Sequence, residues 1–166
     1  LLLDLLTPDE EELDRHSGDL RFNIGFLADR LVSAIRWVAQ EEGMRGLALG
    51  LFGASTGAAA ALMAAAARPN AVSAVVSRGG RPDLAGSALQ LVQAPTLLVV
   101  GSADTVVVEL NREALQKLRC DKRLELVRGA THLFEEPGAL EQVARLAADW
   151  FTQHLVSQRP AVAPGL

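Results

Sequence analysis

The stretch Leu51-Phe-Gly-Ala-Ser-Thr-Gly-Ala-Ala-Ala60 decides how the rest of the chain is read. It sets one serine, Ser55, between Gly53 and Gly57, with an apolar run before it and an alanine-rich run after it. Residues 47–52 read as a buried strand, and residues 56–68 as a helix stopped by Pro69-Asn70. A G-x-S-x-G spacing between strand and helix demands a turn so sharp that the serine adopts a strained backbone. Glycine two residues to either side keeps side chains from colliding with the neighbouring strand and helix. A serine held this way projects at a helix N-terminus, where backbone donors and the helix dipole favour an oxyanion. The spelling alone arises by chance about 0.06 times in a chain of this composition, so its neighbours must supply the weight. The competing use is a glycine-rich turn whose serine merely caps the helix.

Working outward, residues 1–6 (LLLDLL) read as a short buried strand and residues 7–18 as a polar loop. The acidic run Asp9-Glu-Glu-Glu12 reads as a solvated part of that loop. From Asp19 the pattern turns helical, with Leu20, Ile24, Leu27, Leu31, Ile35 and Val38 on one face and Gly43 as its stop. Downstream come a strand at 72–77, a loop at 78–83, a short helix near 84–91 and a strand at 96–100. Val107, Leu110, Ala114 and Leu118 give a further helical face. A strand at 124–127 and a loop at 128–132 follow. Pro137 suits the first turn of a last helix, whose apolar face is Leu140, Val143, Ala147, Phe151 and Leu155.

Apolar strands alternating with helices predict an α/β fold, a three-layer α/β/α sandwich with a mostly parallel sheet. The length of 166 residues fits one domain, taken here as residues 1–156 with a loose Pro-containing tail at 157–166. In such sheets ligands bind at the carboxyl ends of the strands. Residues 4–7, 53–57, 78–83, 101–104 and 129–132 therefore carry most weight.

Composition narrows the classes. Apolar residues make up 49%, enough for a sizeable core, and 16 basic against 20 acidic residues give a net charge of −4. No basic block stands out, which argues against nucleic acid. The ten-residue apolar run 58–67 is half of the roughly 20 residues a membrane span needs. LLLDLL has no basic flank and no cleavage motif, so it does not read as a signal peptide. The one cysteine, Cys120, forms no intrachain disulfide, which fits a cytoplasmic protein; it reads as a packing residue. The chain begins inside an apolar run without a methionine, and reads as a portion of a longer protein.

A serine hydroxyl is a poor nucleophile until a base takes its proton. His16 lies in a polar loop with no strand end beneath it. His154 falls near the C-terminus of the last helix, on its apolar face. His132 follows the last strand, at the same end of the sheet as Ser55, and is the candidate base. An acid must orient the imidazole and stabilise its charge. Asp104 follows the 96–100 strand by a short turn and is better placed than Asp83 or Asp121; capping the next helix is its other use. The order Ser55, Asp104, His132 is the nucleophile–acid–histidine order of one fold.

With G-A-S-T-G at 53–57, V-V-G-S-A-D at 99–104 and G-A-T-H-L-F-E-E-P at 129–137, the chain resembles an α/β-hydrolase. Residues 1 to about 155 are similar to the second two-thirds of the dienelactone-hydrolase-like branch. The resemblance implies a serine hydrolase with Ser55 as nucleophile, His132 as general base and acid, Asp104 as orienter and the Thr56 backbone N–H as an oxyanion donor. It departs from the branch in carrying serine where cysteine is usual. It departs again in having no counterpart of the first strands or of the loop that gives the second oxyanion donor. One such strand would lie between those expected at 1–6 and 47–52, so an N-terminal segment of the same protein is an expected partner. Only 18 residues, 78–95, separate the 72–77 strand from the next, which predicts an open, lidless site. Arg78, just after a strand, is placed either to bind an anionic group of the substrate or to form an ion pair with a nearby acid.

These readings converge on an acyl hydrolase acting on a small ester, lactone or thioester through an acyl-enzyme, with peptidase and perhydrolase chemistry open to the same residues. No metal or organic cofactor is implied. A homodimer is a further expectation. The rival is a non-catalytic binding or regulatory protein, or an inert fragment, on the same scaffold.

Overall fold

A computed structural model describes residues 1–155; the tail expected at 157–166 lies outside the described residues. Four runs rich in Val, Leu and Ala form β1 (Gly50–Ala54), β2 (Ala74–Arg78), β3 (Thr96–Gly101) and β4 (Lys122–Val127). They pair in parallel in the order β1-β2-β3-β4. Parallel neighbours need crossovers. α3 (Thr56–Ala67) supplies the first, 3-10 turns over Pro82–Leu91 the second and α4 (Thr105–Lys117) the third.

Alternation along the strands builds two cores. Leu51, Val75 and Leu98 face α3, α4 and the long helix α2 (Ile24–Gln40). Ala74, Val76, Leu97 and Val99 face α5 (Ala139–His154) on the other side of the sheet. The result is an α/β/α sandwich. α3 has no polar face: seven of its residues, mostly alanine, are buried, and small side chains let its axis approach the sheet closely.

Several expectations from sequence change. Residues 1–6 form no strand, and Leu1, Leu2 and Leu3 are exposed. A strand needs a neighbour's ladder, and this segment pairs with none; instead Leu5 and Leu6 pack on the core beside α2 and α3. The polar stretch read as a loop contains α1 (Pro8–Ser17). Thr7 and Glu10 cap its first turn reciprocally, Pro8 opens it, and the acidic run sits where the helix dipole favours it.

α2 starts at Ile24 behind the Asn23 cap, so Leu20 lies outside it, and it ends at Gln40 before a 3-10 turn over Glu42–Met44. β1 begins three residues later than expected and is buried on one face only, with Phe52 50% exposed. The helix expected at 84–91 is a pair of 3-10 turns broken at Gly86. Gly138 caps α5, leaving Pro137 outside it, and Trp150 rather than the exposed Leu140 completes its buried face.

Arg30 of α2 ties the N-terminal segment down. Its guanidinium donates to Leu5 O at 2.9 Å and to both Glu10 carboxylate oxygens at 2.5 and 2.6 Å. That hydrogen bonding holds the Glu10 pKa down to about 2.

Candidate active site

The carboxyl ends of β1, β2, β3 and β4 bring the chemistry-bearing loops together. Ser55 joins β1 to α3 with φ 49° and ψ −123°, a left-handed conformation that a side chain rarely adopts. It occupies the helix N-cap position, yet its hydroxyl makes no capping hydrogen bond. The simple capping use of this serine therefore does not apply. Its backbone is held instead: Ser55 O accepts from Arg81 N at 3.1 Å and Ala58 N at 3.2 Å.

Close packing enforces the turn on one side. A Cβ on Gly53 would lie 2.5 Å from Gly57 O and 2.7 Å from Ala58 Cα, so only glycine fits there. Gly57 differs from expectation. Its nearest neighbour to an added Cβ is Leu5 Cδ1, 4.0 Å away. It faces the flank of β1 that no described strand covers, where no described residue crowds it.

Thr56 is the first residue of α3, so its N–H has no carbonyl a turn behind it to bond within the helix. That leaves a backbone donor beside the Ser55 side chain, at the positive end of the helix dipole.

Asp104 divides its two carboxylate oxygens between two tasks. Oδ1 accepts from Val107 N at 3.4 Å and caps α4. Oδ2 faces His132 Nδ1 at 2.8 Å. The capping contact and the histidine contact are thus made by the same carboxylate. The rivals go elsewhere: Asp83 takes both arms of the Arg81 guanidinium, at 2.9 and 2.8 Å. Asp121 lies at the opposite end of the sheet, 3.7 Å from His154 Nε2. His154 stacks against Trp150 with ring centroids 4.3 Å apart, and His16 is exposed on α1.

The His132 loop is built to pass low over β3. A Cβ on Gly101 would come within 2.3 Å of Ala130 O, so the close approach requires glycine. Ala103 N donates to Ala130 O at 3.0 Å and Gly129 N to Ser102 Oγ at 2.8 Å, joining the loops after β3 and β4. Beyond the histidine, Phe134 plugs the core at 1% exposure. Glu136 then reaches back, accepting from Thr131 Oγ1 at 2.7 Å and Thr131 N at 3.1 Å. The Thr131 hydroxyl holds its carboxyl below the ordinary range. Sequence reasoning missed this clasp; an acid five residues past a threonine carries no distinctive pattern.

His132 and the Ser55 turn flank the same short segment, residues 79–81. Gly79 lies against His132, whose Nδ1 is 3.7 Å from where a Gly79 Cβ would sit, while Arg81 bonds the Ser55 carbonyl. Among the described residues no hydrogen bond joins the Ser55 hydroxyl to His132. Arg78, at the end of β2, lays its guanidinium over the Phe134 ring, 5.5 Å from the centroid, and has no carboxylate partner among the described residues. Cys120 lies beside Thr96, the first residue of β3, at the far end of the sheet. Burial pushes its thiol pKa up, which suits packing rather than catalysis.

A cavity of about 710 Å³ runs along the unpaired flank of β1, lined by Leu3, Leu5, Ile35, Phe52 and Phe151 among others. It reaches Gly53 and Gly57 beneath the turn but includes none of Ser55, Asp104 and His132. Among the described residues no cluster of His, Cys, Asp and Glu could hold a metal. No helix there is long and apolar enough to cross a membrane.

The chain is similar to several known proteins. A family model described as the dienelactone hydrolase family matches residues 13–155. The crystal structure of dienelactone hydrolase from Anabaena variabilis is 56% identical with a TM-score of 0.89, over 92% of this chain and 71% of that one. A monoacylglycerol lipase from Paleococcus ferrophilus, 19% identical, shares the fold with a TM-score of 0.66, over 79% of this chain and 76% of that one. Two Mycobacterium tuberculosis proteins, from different strains, bear the name of a proposed phosphoribosyl transferase. Each is 55% identical over 97% of this chain, which spans 35% of their length.

Proposed function

The chain belongs to the dienelactone hydrolase family, and from that premise we propose that it is a serine-dependent acyl hydrolase for small esters, lactones or thioesters. The observation that carries the reading is the 2.8 Å contact between His132 Nδ1 and Asp104 Oδ2, at the end of the sheet where Ser55 stands on its strained turn. With Nδ1 engaged by the carboxylate, the tautomer leaves Nε2 free as an acceptor. Nε2 takes the Ser55 hydroxyl proton as Oγ attacks the acyl carbon. The negative charge that develops on the carbonyl oxygen is met by the Thr56 N–H at the head of α3. His132 returns the proton to the leaving group, water repeats the cycle on the acyl-enzyme, and Asp104 stabilises the imidazolium throughout. Arg78, with no carboxylate partner among the described residues, offers its guanidinium to an anionic substituent of the substrate.

The transferase name belongs to relatives about three times the length of this chain. The third of them that it matches is the part similar to the residues above, and no step of the proposed chemistry uses a phosphoribosyl group. A non-catalytic role on the same scaffold draws support from the absence of a Ser55–His132 hydrogen bond; apo sites of this kind are often loose before substrate binds.

Hydrolysis of p-nitrophenyl acetate by the wild type, Ser55→Ala and Asp104→Asn tests the proposal. Ser55→Ala is expected to abolish turnover, and Asp104→Asn to lower kcat by on the order of 10⁴. Turnover that survives Ser55→Ala would remove the reading.

A further inference from the structure

Asn111 lies in the middle of α4 with no exposure, outside every role described so far. A buried amide is costly unless its hydrogen bonds are made, and here the donor half alone is bonded, Oδ1 having no partner among the described residues. Its Nδ2 donates twice, to Val107 O one turn back at 2.8 Å and to Gly80 O across the loop at 2.9 Å.

The Gly80 carbonyl shares one planar peptide unit with the Arg81 N–H. In a trans peptide the two point in opposite directions, so fixing one aims the other. The Arg81 N–H is aimed at Ser55 O, 3.1 Å away. The Ser55 carbonyl in turn shares its peptide unit with the Thr56 N–H. Two rigid plates in series thus run from Asn111 to the donor that meets the developing charge. The first plate has little room to swing. A Cβ on Gly80 would come within 2.0 Å of Ser77 Oγ and 2.6 Å of Ala58 Cβ, which shows how tightly this peptide packs on the first turn of α3.

We propose that Asn111 is a positioning residue that aims the Thr56 oxyanion donor through the Gly80–Arg81 and Ser55–Thr56 peptide units. α4 then serves the site at both ends of its first two turns: Asp104 at its cap orients His132, and Asn111 orients the nucleophile turn. The inference rests on the acyl-hydrolase reading for its functional half, and on the bonding alone for its structural half.

Asn111→Val and Asn111→Leu remove both donors while keeping the side chain near its size. Three readouts separate positioning from general loosening of α4. Hydrogen exchange at the Arg81 amide, which needs no activity, should accelerate at least tenfold in both variants. Turnover of p-nitrophenyl acetate should show kcat lower by at least about tenfold with KM unchanged, a share of the ~10²–10³ that deleting an oxyanion donor costs. The low-field proton resonance of His132 Nδ1, reporting the Asp104 bond, should stay in place. Unchanged Arg81 exchange, or wild-type kcat in a folded variant, overturns the proposal. So does a kcat loss accompanied by a shifted His132 resonance, which would mean that α4 as a whole has moved. A wild type with no turnover refutes the acyl-hydrolase reading, while Arg81 exchange still decides whether Asn111 holds the turn.

Discussion

β3 and β1 are both short, apolar, parallel strands, and both deliver a chemistry-bearing residue at their carboxyl ends. Their surroundings differ. β3 pairs on both sides and all six of its residues are buried. β1 pairs with β2 alone among the described residues and buries only Leu51 and Gly53, while Phe52 faces the cavity along its free flank. The loop after β3 inherits its rigidity from the strand beneath it. The Ser55 turn cannot draw on β1 in the same way. It is held from the β2 side and from α3, through Arg81, Ala58 and the close packing of Gly53. The Ser55 turn is therefore clamped on one face and, among the described residues, open on the other.

Substitutions on and beside the two strands test that contrast. The largest effect is expected from Leu98→Ala at the centre of β3, where lost burial and a cavity should cost about 2–5 kcal/mol in urea unfolding. Next comes Gly53→Ala on the clamped side of the turn. Its Cβ would meet backbone, and overpacking of this kind costs roughly 1–3 kcal/mol. Gly57→Ala, two residues beyond Ser55 on the open side, should go the other way. It sits in a helix with room for the methyl, so a gain of about 0.5–1 kcal/mol is expected. A loss at Gly57 matching that at Gly53 would mean that the turn is clamped on both faces. Phe52→Ala should change stability by no more than about 0.5 kcal/mol, because the ring leaves a half-exposed position rather than a core.

The smallest effect is pH-dependent and lies far from the sheet. Arg30 depresses the Glu10 pKa to about 2 from 4.5, so this clasp stabilises the fold above about pH 4.5 and its contribution fades as the pH falls towards 2. Glu10→Gln should unfold slightly more easily than wild type at neutral pH, and the two should converge near pH 2. A constant difference across that range would mean that the effect comes from packing rather than charge.

The same contrast explains what could be read from sequence. β2, β3 and the helix after Ser55 were legible because their burial is nearly complete, so an unbroken apolar run is a faithful signal. Asp104 is legible as a candidate because it follows the fully buried β3 by a short turn, and His132 because it lies in the loop after the last strand, at the same end of the sheet. Residues 1–6 misled for the opposite reason. Six mostly apolar residues look like a strand, but a strand exists only where another strand offers a ladder. α1 was hidden by its polarity, although Thr7-Pro-Asp-Glu10 spells a capping box. The G-x-S-x-G spacing gives both glycines a steric role, which the packing assigns to Gly53 alone among the described residues. The Glu136 clasp and Asn111 could not be found by pattern, since what matters about each is a partner that folding brings to it; Gly80 lies 31 residues from Asn111.

The proposed function makes Ser55, on its clamped turn, a nucleophile activated by His132 and Asp104. The most direct measurement is treatment of the protein with a fluorophosphonate, followed by intact mass and peptide mapping, beside Ser55→Ala. One adduct per chain on the peptide containing Ser55, absent from Ser55→Ala, is the predicted result. An unmodified Ser55 in the folded wild-type protein, or an adduct that persists in Ser55→Ala, would contradict it.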